Sequence, residues 1–422
     1  MVSASFLRSL PAIIELYSAA RKNRPRLRKS CRQSGGGTLQ STDAADCRHH
    51  ALAQAAAAVF PLNRPSPRQS ARFTRRHTML RKALVSSIVV LLLHAGFGAR
   101  AEEPSLFQCD RTTACELQIY IENDSVGGGT DRYYTNGIKV GGGVNANRLI
   151  ERIFQRPAEQ VLRRFSENPG DVHVGLFVGQ HMYTPERITV AAPQPLDRPW
   201  AAWLYVGGVA QSVSGNRLQT VEFDLGMIGP AALGKEVQTA WHELVGADRP
   251  TGWHNQLRNE PGLMLTYLEK WRFGYATGVE VVPHFGASLG NVMTLARAGG
   301  IVRAGRNMSG FGPDTIEPGG AMLQRVRLKD PQSHDERHEW YVFAGIDARA
   351  VAYNVFLDGN MFRESPSVDR RDVVYDLKTG FSIRLPPARI SLTQVWRSEE
   401  FTTPAGGAGS QRFQSLNLSW EF

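Results

Sequence analysis

Through most of the chain beyond residue 116, apolar and polar residues alternate with a period of two, in segments of about ten residues closed by Gly, Pro, Asn or Asp. That period puts successive side chains on opposite faces of a strand. The pattern predicts about twelve strands: 117–123, 137–144, 173–182, 203–212, 220–228, 263–274, 278–288, 293–302, 339–349, 374–384, 390–396 and 412–422. Many short strands bounded by turn residues fit either a soluble sandwich or a membrane barrel. The last segment favours the barrel. Leu416, Leu418, Trp420 and Phe422 put apolar residues on one face of a strand ending in an aromatic, like the terminal strand by which the barrel-assembly machinery recognises its clients. A closed sheet also satisfies every backbone polar group in hydrocarbon. The expected fold is therefore all-β: an antiparallel transmembrane β-barrel of about twelve strands. Tyr120, Trp200, Trp203, Tyr205, Trp271, Tyr275, Trp340 and Tyr341 lie near predicted strand ends, where an aromatic girdle would need them.

One stretch breaks this rhythm. Gly229-Pro230 stops a strand, and 231–245 reads as a short inserted helix, with Ala232, Leu233, Val237, Ala240, Trp241, Leu244 and Val245 near a 3.6 period and Gly246 ending it. Gln238 and His242 are four apart and share one face.

Composition changes the picture only after the chain is divided. The formal net charge of +10 suggests a nucleic acid or an anionic surface as partner. Residues 1–101, however, carry 17 Lys/Arg against 3 Asp/Glu, and the remainder carries 32 against 36. The basic excess belongs to the leader, so no nucleic-acid partner is expected. Within the leader, Met79-Leu80-Arg81-Lys82, the apolar run 83–93 and Ala99-Arg100-Ala101 form the three regions of a secretory signal peptide, 79–101. The apolar run is shorter than the roughly 20 residues a membrane helix needs. Residues 1–78 show no core pattern and are read as an over-long translation, or else as a genuine basic disordered tail. The mature domain is 102–422. Cys31 and Cys47 precede it, while Cys109 and Cys115 open it and could close a small disulfide loop in an oxidising periplasm. Two thiols without a second pair do not imply a zinc site.

Candidate chemistry gathers at strand ends. Glu122-Asn123-Asp124 closes the first strand, and Thr130-Asp131-Arg132-Tyr133-Tyr134-Thr135-Asn136-Gly137 opens the second. Such residues form turns, and they are also the oxygen ligands a hard cation prefers. Gly286-Ala287-Ser288-Leu289-Gly290 matches the nucleophile-elbow pattern but lies in an alternating strand, not at a strand-to-helix turn. His334-Asp335-Glu336-Arg337-His338 lacks the zincin placement of its Glu and reads as a polar loop.

An ordered series of motifs resembles the lipid A 3′-O-deacylase family. It comprises the Glu122 and Thr130 stretches; Gly179-Gln180-His181-Met182-Tyr183-Thr184-Pro185; Asp197-Arg198-Pro199-Trp200-Ala201-Ala202-Trp203; Asp224-Leu225-Gly226-Met227-Ile228-Gly229-Pro230; Gln238 and His242; and Gly252-Trp253-His254-Asn255-Gln256-Leu257. The resemblance covers essentially the whole mature chain. It implies a twelve-stranded barrel in the Gram-negative outer membrane that removes the 3′-linked acyloxyacyl chain from lipid A of lipopolysaccharide, with Ca²⁺ dependence. Carried over, the site falls on Asn123, Asp124, Thr135, Gln238 and His242, with Asp248 as an acidic companion. The family's functional lysine has no counterpart. Val190 stands in its place, and Arg187 is the nearest cation for substrate binding.

The implied mechanism has His242 as the base that activates water, since an imidazole titrating near ~6.5 suits the task. Ca²⁺ near Asn123, Asp124 and Asp248 would stabilise the oxyanion, and Thr135 and Gln238 would orient water, ester or ring. Mg²⁺ would accept the same ligands. Two other functions remain open: an outer-membrane phospholipase built on Ser288, and a non-catalytic porin-like barrel.

Overall fold

The computed structural model describes residues 116–124, 131–143, 151–165, 172–276, 278–321, 338–403 and 406–421. The leader with its signal peptide, all four cysteines, residues 334–337 and Phe422 lie outside them.

Twelve antiparallel strands close into a barrel. In chain order the strands are β1 (Glu116–Asn123), β2 (Tyr133–Gly143), β3 (Val172–Thr184), β4 (Ala201–Ser214), β5 (Arg217–Ile228), β6 (Glu260–Trp271), β7 (Phe273–Ala276), β8 (Val279–Gly290), β9 (Met293–Arg306), β10 (Glu339–Asn354), β11 (Asp369–Arg370), β12 (Val373–Leu385), β13 (Ala388–Arg397), β14 (Phe401–Thr403), β15 (Gly406–Gly407) and β16 (Gln411–Glu421). The short β7 pairs only with β8, and β11, β14 and β15 form a separate small sheet. Closure comes from β1 pairing with β16, Leu117 opposite Trp420 and Asn123 opposite Gln414. Among the twelve barrel strands no edge is left to template aggregation or to expose backbone to lipid. Each predicted segment coincides with one of the twelve barrel strands, to within a few residues at its ends.

Alternation assigns the faces. On β1, Gln118, Tyr120 and Glu122 are buried in the lumen, whereas Leu117 and Ile121 point outward. Leu416, Leu418 and Trp420 of β16 take the outward face, as the terminal pattern predicts. Val206, Phe223, Leu225, Leu263, Leu265, Phe285 and Ile346 continue this apolar exterior.

The predicted girdle is corrected. Tyr120, Trp203, Tyr205 and Tyr341 are at most 3% exposed and face the lumen, and Trp200 is buried beneath a loop. Trp340 of the strand-end set is largely exposed, joined on the outside by Trp396, Trp420 and Tyr375, while the side chain of Tyr275 lies outside the described residues. Proximity to a strand end fixes depth in the membrane, but parity along the strand fixes the face.

The lumen is filled with a lattice of ion pairs. Lys139 binds Glu222 at 2.6 Å, Lys270 binds Asp314 at 2.6 Å, and Arg397 binds Asp376 at 2.8 Å. Paired in this way, buried charges escape most of the desolvation penalty that a lone one would carry. The segment 307–321 after β9 folds back into the barrel. It delivers Phe311 against Leu218 and Val282, Asp314 to Lys270, the Ile316 amide to Glu122 at 2.9 Å, and Glu317 to Arg349 at 3.0 Å and to Arg397.

Three helices complete the described structure: α1 (Arg156–Phe165), α2 (Gly234–Val245) and α3 (Val355–Asp358). None is long and apolar enough to cross a membrane. The predicted inserted helix starts later than expected. Residues 230–232 form a 3-10 turn, Leu233 adopts φ 59, and only then does α2 begin. We call the barrel end carrying α2 the mouth and the end carrying both termini of the sheet the base.

Candidate active site

At the mouth the outward faces of β1–β4 and the helix α2 enclose a polar cluster. Asn123 follows Leu117 and Ile121 in parity, so it stands on the outer wall of the barrel. A β-bulge at Thr135, between Tyr134 and Asn136 in the pairing with β3, inserts an extra residue. Bulges re-aim side chains beside functional sites. Tyr134 stays in the lumen, its hydroxyl donating to Glu122 at 2.7 Å, while Thr135 meets the Thr184 hydroxyl at 2.7 Å. The Asn123 amide donates to the Thr135 carbonyl at 3.1 Å. Asp124 is fully buried and accepts from the Arg132 amide at 2.7 Å.

Tyr133, two residues after Asp131, has φ 68, which a bulky residue adopts only at a cost of about 1–3 kcal/mol. Its ring is pinned edge-on to Phe401 at 5.3 Å, and its hydroxyl donates to the Ala408 carbonyl.

Helix α2 closes the site from outside. Gly234 makes the contact possible, because a Cβ there would stand 2.5 Å from Ala202 Cβ and 2.6 Å from the Trp253 ring. Val237 packs in the same cluster as Met182, Ala202 and Leu204 of the outer wall. At the other end Gly246, at φ 74, caps the helix with its amide on the His242 carbonyl. The chain then reverses and brings the Asp248 carbonyl onto His242 Nδ1.

His242 and Gln238 face inward and are 7% and 2% exposed. His242 Nε2 lies 2.9 Å from Asp131 Oδ2. Gln238 Nε2 donates to both oxygens of the same carboxylate at 3.2 and 3.3 Å, and its own Oε1 accepts from Trp253 Nε1 at 2.7 Å. Burial alone would lower the His242 pKa. The hydrogen bonds that the ring donates to Asp131 and to the Asp248 carbonyl, with the charges of both carboxylates, outweigh it and raise the pKa. Nδ1 faces a carbonyl, which only accepts, so it carries a proton. Nε2, which faces the Asp131 carboxylate, is then the nitrogen that gains the second proton when the ring becomes charged.

The structure thus joins Gln238 and His242 through one shared partner that sequence reasoning did not single out, the Asp131 carboxylate. Thr135 is linked to Asp131 through Thr184, whose hydroxyl donates to the Asp131 carbonyl at 3.4 Å, and Asn123 joins through the Thr135 carbonyl. Asp131 lay inside the motif opening β2, but an acid before a strand reads as a turn former. Its meaning depends on His242, far along the chain. Asp248 reaches the site through its carbonyl, and its side chain is exposed. Arg187 is exposed in the loop after β3, and Val190 donates its amide to the Arg187 carbonyl at 3.3 Å. Ser288 lies within β8, on the lumen side, bonded to Thr266 at 2.9 Å.

A barrel with its polar cluster outside the wall, under a helix, is a specific arrangement, and the family model for outer membrane protein LpxR matches residues 84–422. The chain belongs to the LpxR family. It is an outer-membrane barrel. Among solved structures, LpxR from Salmonella typhimurium is 21% identical, with a TM-score of 0.58 over 73% of this chain and all (100%) of that one. The β domain of the Bordetella autotransporter BrkA is 10% identical, covering 73% of this chain and 99% of that one, with a TM-score of 0.36. No curated protein matches the chain.

Proposed function

We propose that this LpxR-family barrel hydrolyses the ester linking the 3′ acyloxyacyl chain to lipid A of lipopolysaccharide. The observation that carries the reading is the site's position on the outer wall. Asn123, Thr135 and Thr184 share the face of Leu117, Ile121 and the rest of the lipid-facing exterior, so a substrate reaches them from the leaflet and not through the lumen.

His242 Nε2 takes a proton from water, and the hydroxide attacks the acyl carbon. The C–O bond to the sugar breaks, and the same proton passes to the departing sugar oxygen. Asp131 stabilises the imidazolium between these steps, and the Asp248 carbonyl holds the ring orientation. Gln238 fixes the Asp131 carboxylate, while the Thr135 and Thr184 hydroxyls orient water or ester. Arg187, exposed beside the mouth, is the cation offered to a substrate phosphate in place of the lysine that Val190 replaces.

The donor chemistry here suits calcium, since the mouth presents amide, carboxylate and hydroxyl oxygens. Asn123 and Asp124 would hold such an ion, leaving its other positions to water and substrate. Among the described residues no three His, Cys, Asp or Glu side chains gather into a fuller cage. Bound there, Ca²⁺ would supply Lewis-acid stabilisation of the oxyanion.

The test is mass spectrometry of lipid A from cells expressing wild type or His242→Ala. Wild type should release the 3′ chain, and the variant should lose about 10²–10⁴-fold in rate while keeping heat-modifiable migration. Full activity in His242→Ala, or intact lipid A with wild type, overturns the proposal. A phospholipase on Ser288 has no base bonded to its hydroxyl among the described residues, where its hydrogen-bond partner is Thr266. An open pore meets a lumen crossed by 307–321.

A further inference from the structure

A second helix lies on the outer wall, at the base. Residues 151–165 make a π-turn followed by α1, with Ala158 and Leu162 buried against Val174 of β3, Ala210 of β4 and Val221 of β5. Phe154, Val161, Leu176 and Tyr267 pack around them. The Phe154 ring sits over Gly208, whose Cβ, if present, would approach it to 3.0 Å. Val174, Gly208, Ala210, Val221 and Tyr267 all have the outward parity of their strands, so α1 covers the lipid side of the barrel.

Its depth follows from the strands. Val174 and Thr184 are ten residues apart on β3. At ~3.3 Å per residue and a tilt of about 40° this is roughly 25 Å along the axis, the height of the apolar band of an outer-membrane barrel. Helices α1 and α2 therefore bracket one apolar belt, at opposite interfaces. On the base side of α1 the outer wall turns polar: Arg217 forms a bidentate pair with Glu269, and Gln219 donates to Tyr267 at 2.9 Å.

The face of α1 turned from the wall is basic. The segment holds four arginines against two glutamates. Arg156 pairs with Glu151 at 2.9 Å, whereas Arg152, Arg163 and Arg164 are exposed with no ion pair among the described residues. Ile153, 66% exposed, stands beside them. An apolar side on the wall, a basic side outward and a position at the edge of the apolar belt are the features of an interfacial helix. Exposed arginines at such a depth attract acidic headgroups.

We propose that α1 is a docking surface for acidic phospholipid headgroups at the base-side interface, contacted by Arg152, Arg163 and Arg164. It does not depend on the deacylase reading, since it lies at the opposite interface from the site.

The experiment places the purified mature barrel in phosphatidylcholine nanodiscs holding trace spin-labelled phosphatidylglycerol or spin-labelled phosphatidylcholine, and compares the motionally restricted fractions. The expected result is a preference for phosphatidylglycerol of roughly five-fold, the amount one well-placed arginine supplies. It should collapse toward parity in Arg152→Gln/Arg163→Gln/Arg164→Gln and, for wild type, in about 0.5 M salt, where screening is short-ranged. Heat-modifiable migration confirms that the variant is folded, and the salt series on wild type stands independently of it. No preference in wild type, as a protein partner for this face would give, or an equal preference in the folded variant, overturns the proposal.

Discussion

Replacing Asp131 with Asn separates its charge from its shape. The carboxylate lies 2.9 Å from His242 Nε2, with side-chain exposures of 9% for His242 and 21% for Asp131, so solvent screens the pair only partly. A hydrogen bond to a charged group contributes about 1.5–3 kcal/mol. Its loss lowers the His242 pKa, and burial then acts against the charged ring with less to oppose it. The assay is the pH dependence of kcat/KM for deacylation by the purified barrel in mixed micelles with lipopolysaccharide. For a base whose neutral form is active, the wild-type acid limb should lie above the ordinary imidazole value. In Asp131→Asn it should move to lower pH while the plateau falls about tenfold or more, and Asp131→Glu should restore the limb. An acid limb that stays in place in Asp131→Asn refutes the assignment of Asp131 as the residue that positions and charges His242.

Ser288→Ala should leave deacylation within about twofold of wild type and lower stability only slightly, since it removes one buried hydrogen bond, to Thr266; a dead but folded variant would favour the serine enzyme. Lys139→Met leaves the buried Glu222 without its cation and should destabilise the barrel by about 3–5 kcal/mol, read by urea unfolding in detergent; an unchanged midpoint would show that the lumen lattice contributes nothing. The raised pKa of His242 gives α2 docking a pH dependence of definite sign. The stabilisation is fully present below about pH 6.5 and is lost as pH rises through the folded-state pKa. Amide exchange in 234–245 should therefore accelerate, beyond its intrinsic base catalysis, as pH rises through that value, and His242→Gln should abolish the extra acceleration.

The barrel was legible because its code is local. Period-two alternation needs no partner to be read, and each segment became a strand. The faces were less legible where a single residue was read without its neighbours. Tyr120 stands between Ile119 and Ile121 but shares parity with Gln118 and Glu122, which places it in the lumen. The site was half legible. Gln238 and His242 share a helix face by spacing alone, whereas their common partner Asp131 is joined to them only by the fold. That the cluster lies outside the wall follows from the bulge at Thr135 and the close approach of Gly234 to Ala202, and neither leaves a pattern in one sequence. The start of α2 was misplaced because Pro230 and Leu233 form a separate turn whose side chains still fit the helical period.

Chemistry on the outer wall also changes how concentration enters the kinetics. An enzyme whose site opens sideways into a bilayer meets a lipid ester by planar diffusion, so the quantity that saturates it is substrate per unit of membrane area, not molarity. Diluting vesicles with buffer would leave its velocity per enzyme unchanged, while diluting the substrate with inert lipid would lower it. On the proposed reading the bilayer around the barrel would act as both its solvent and its reagent supply.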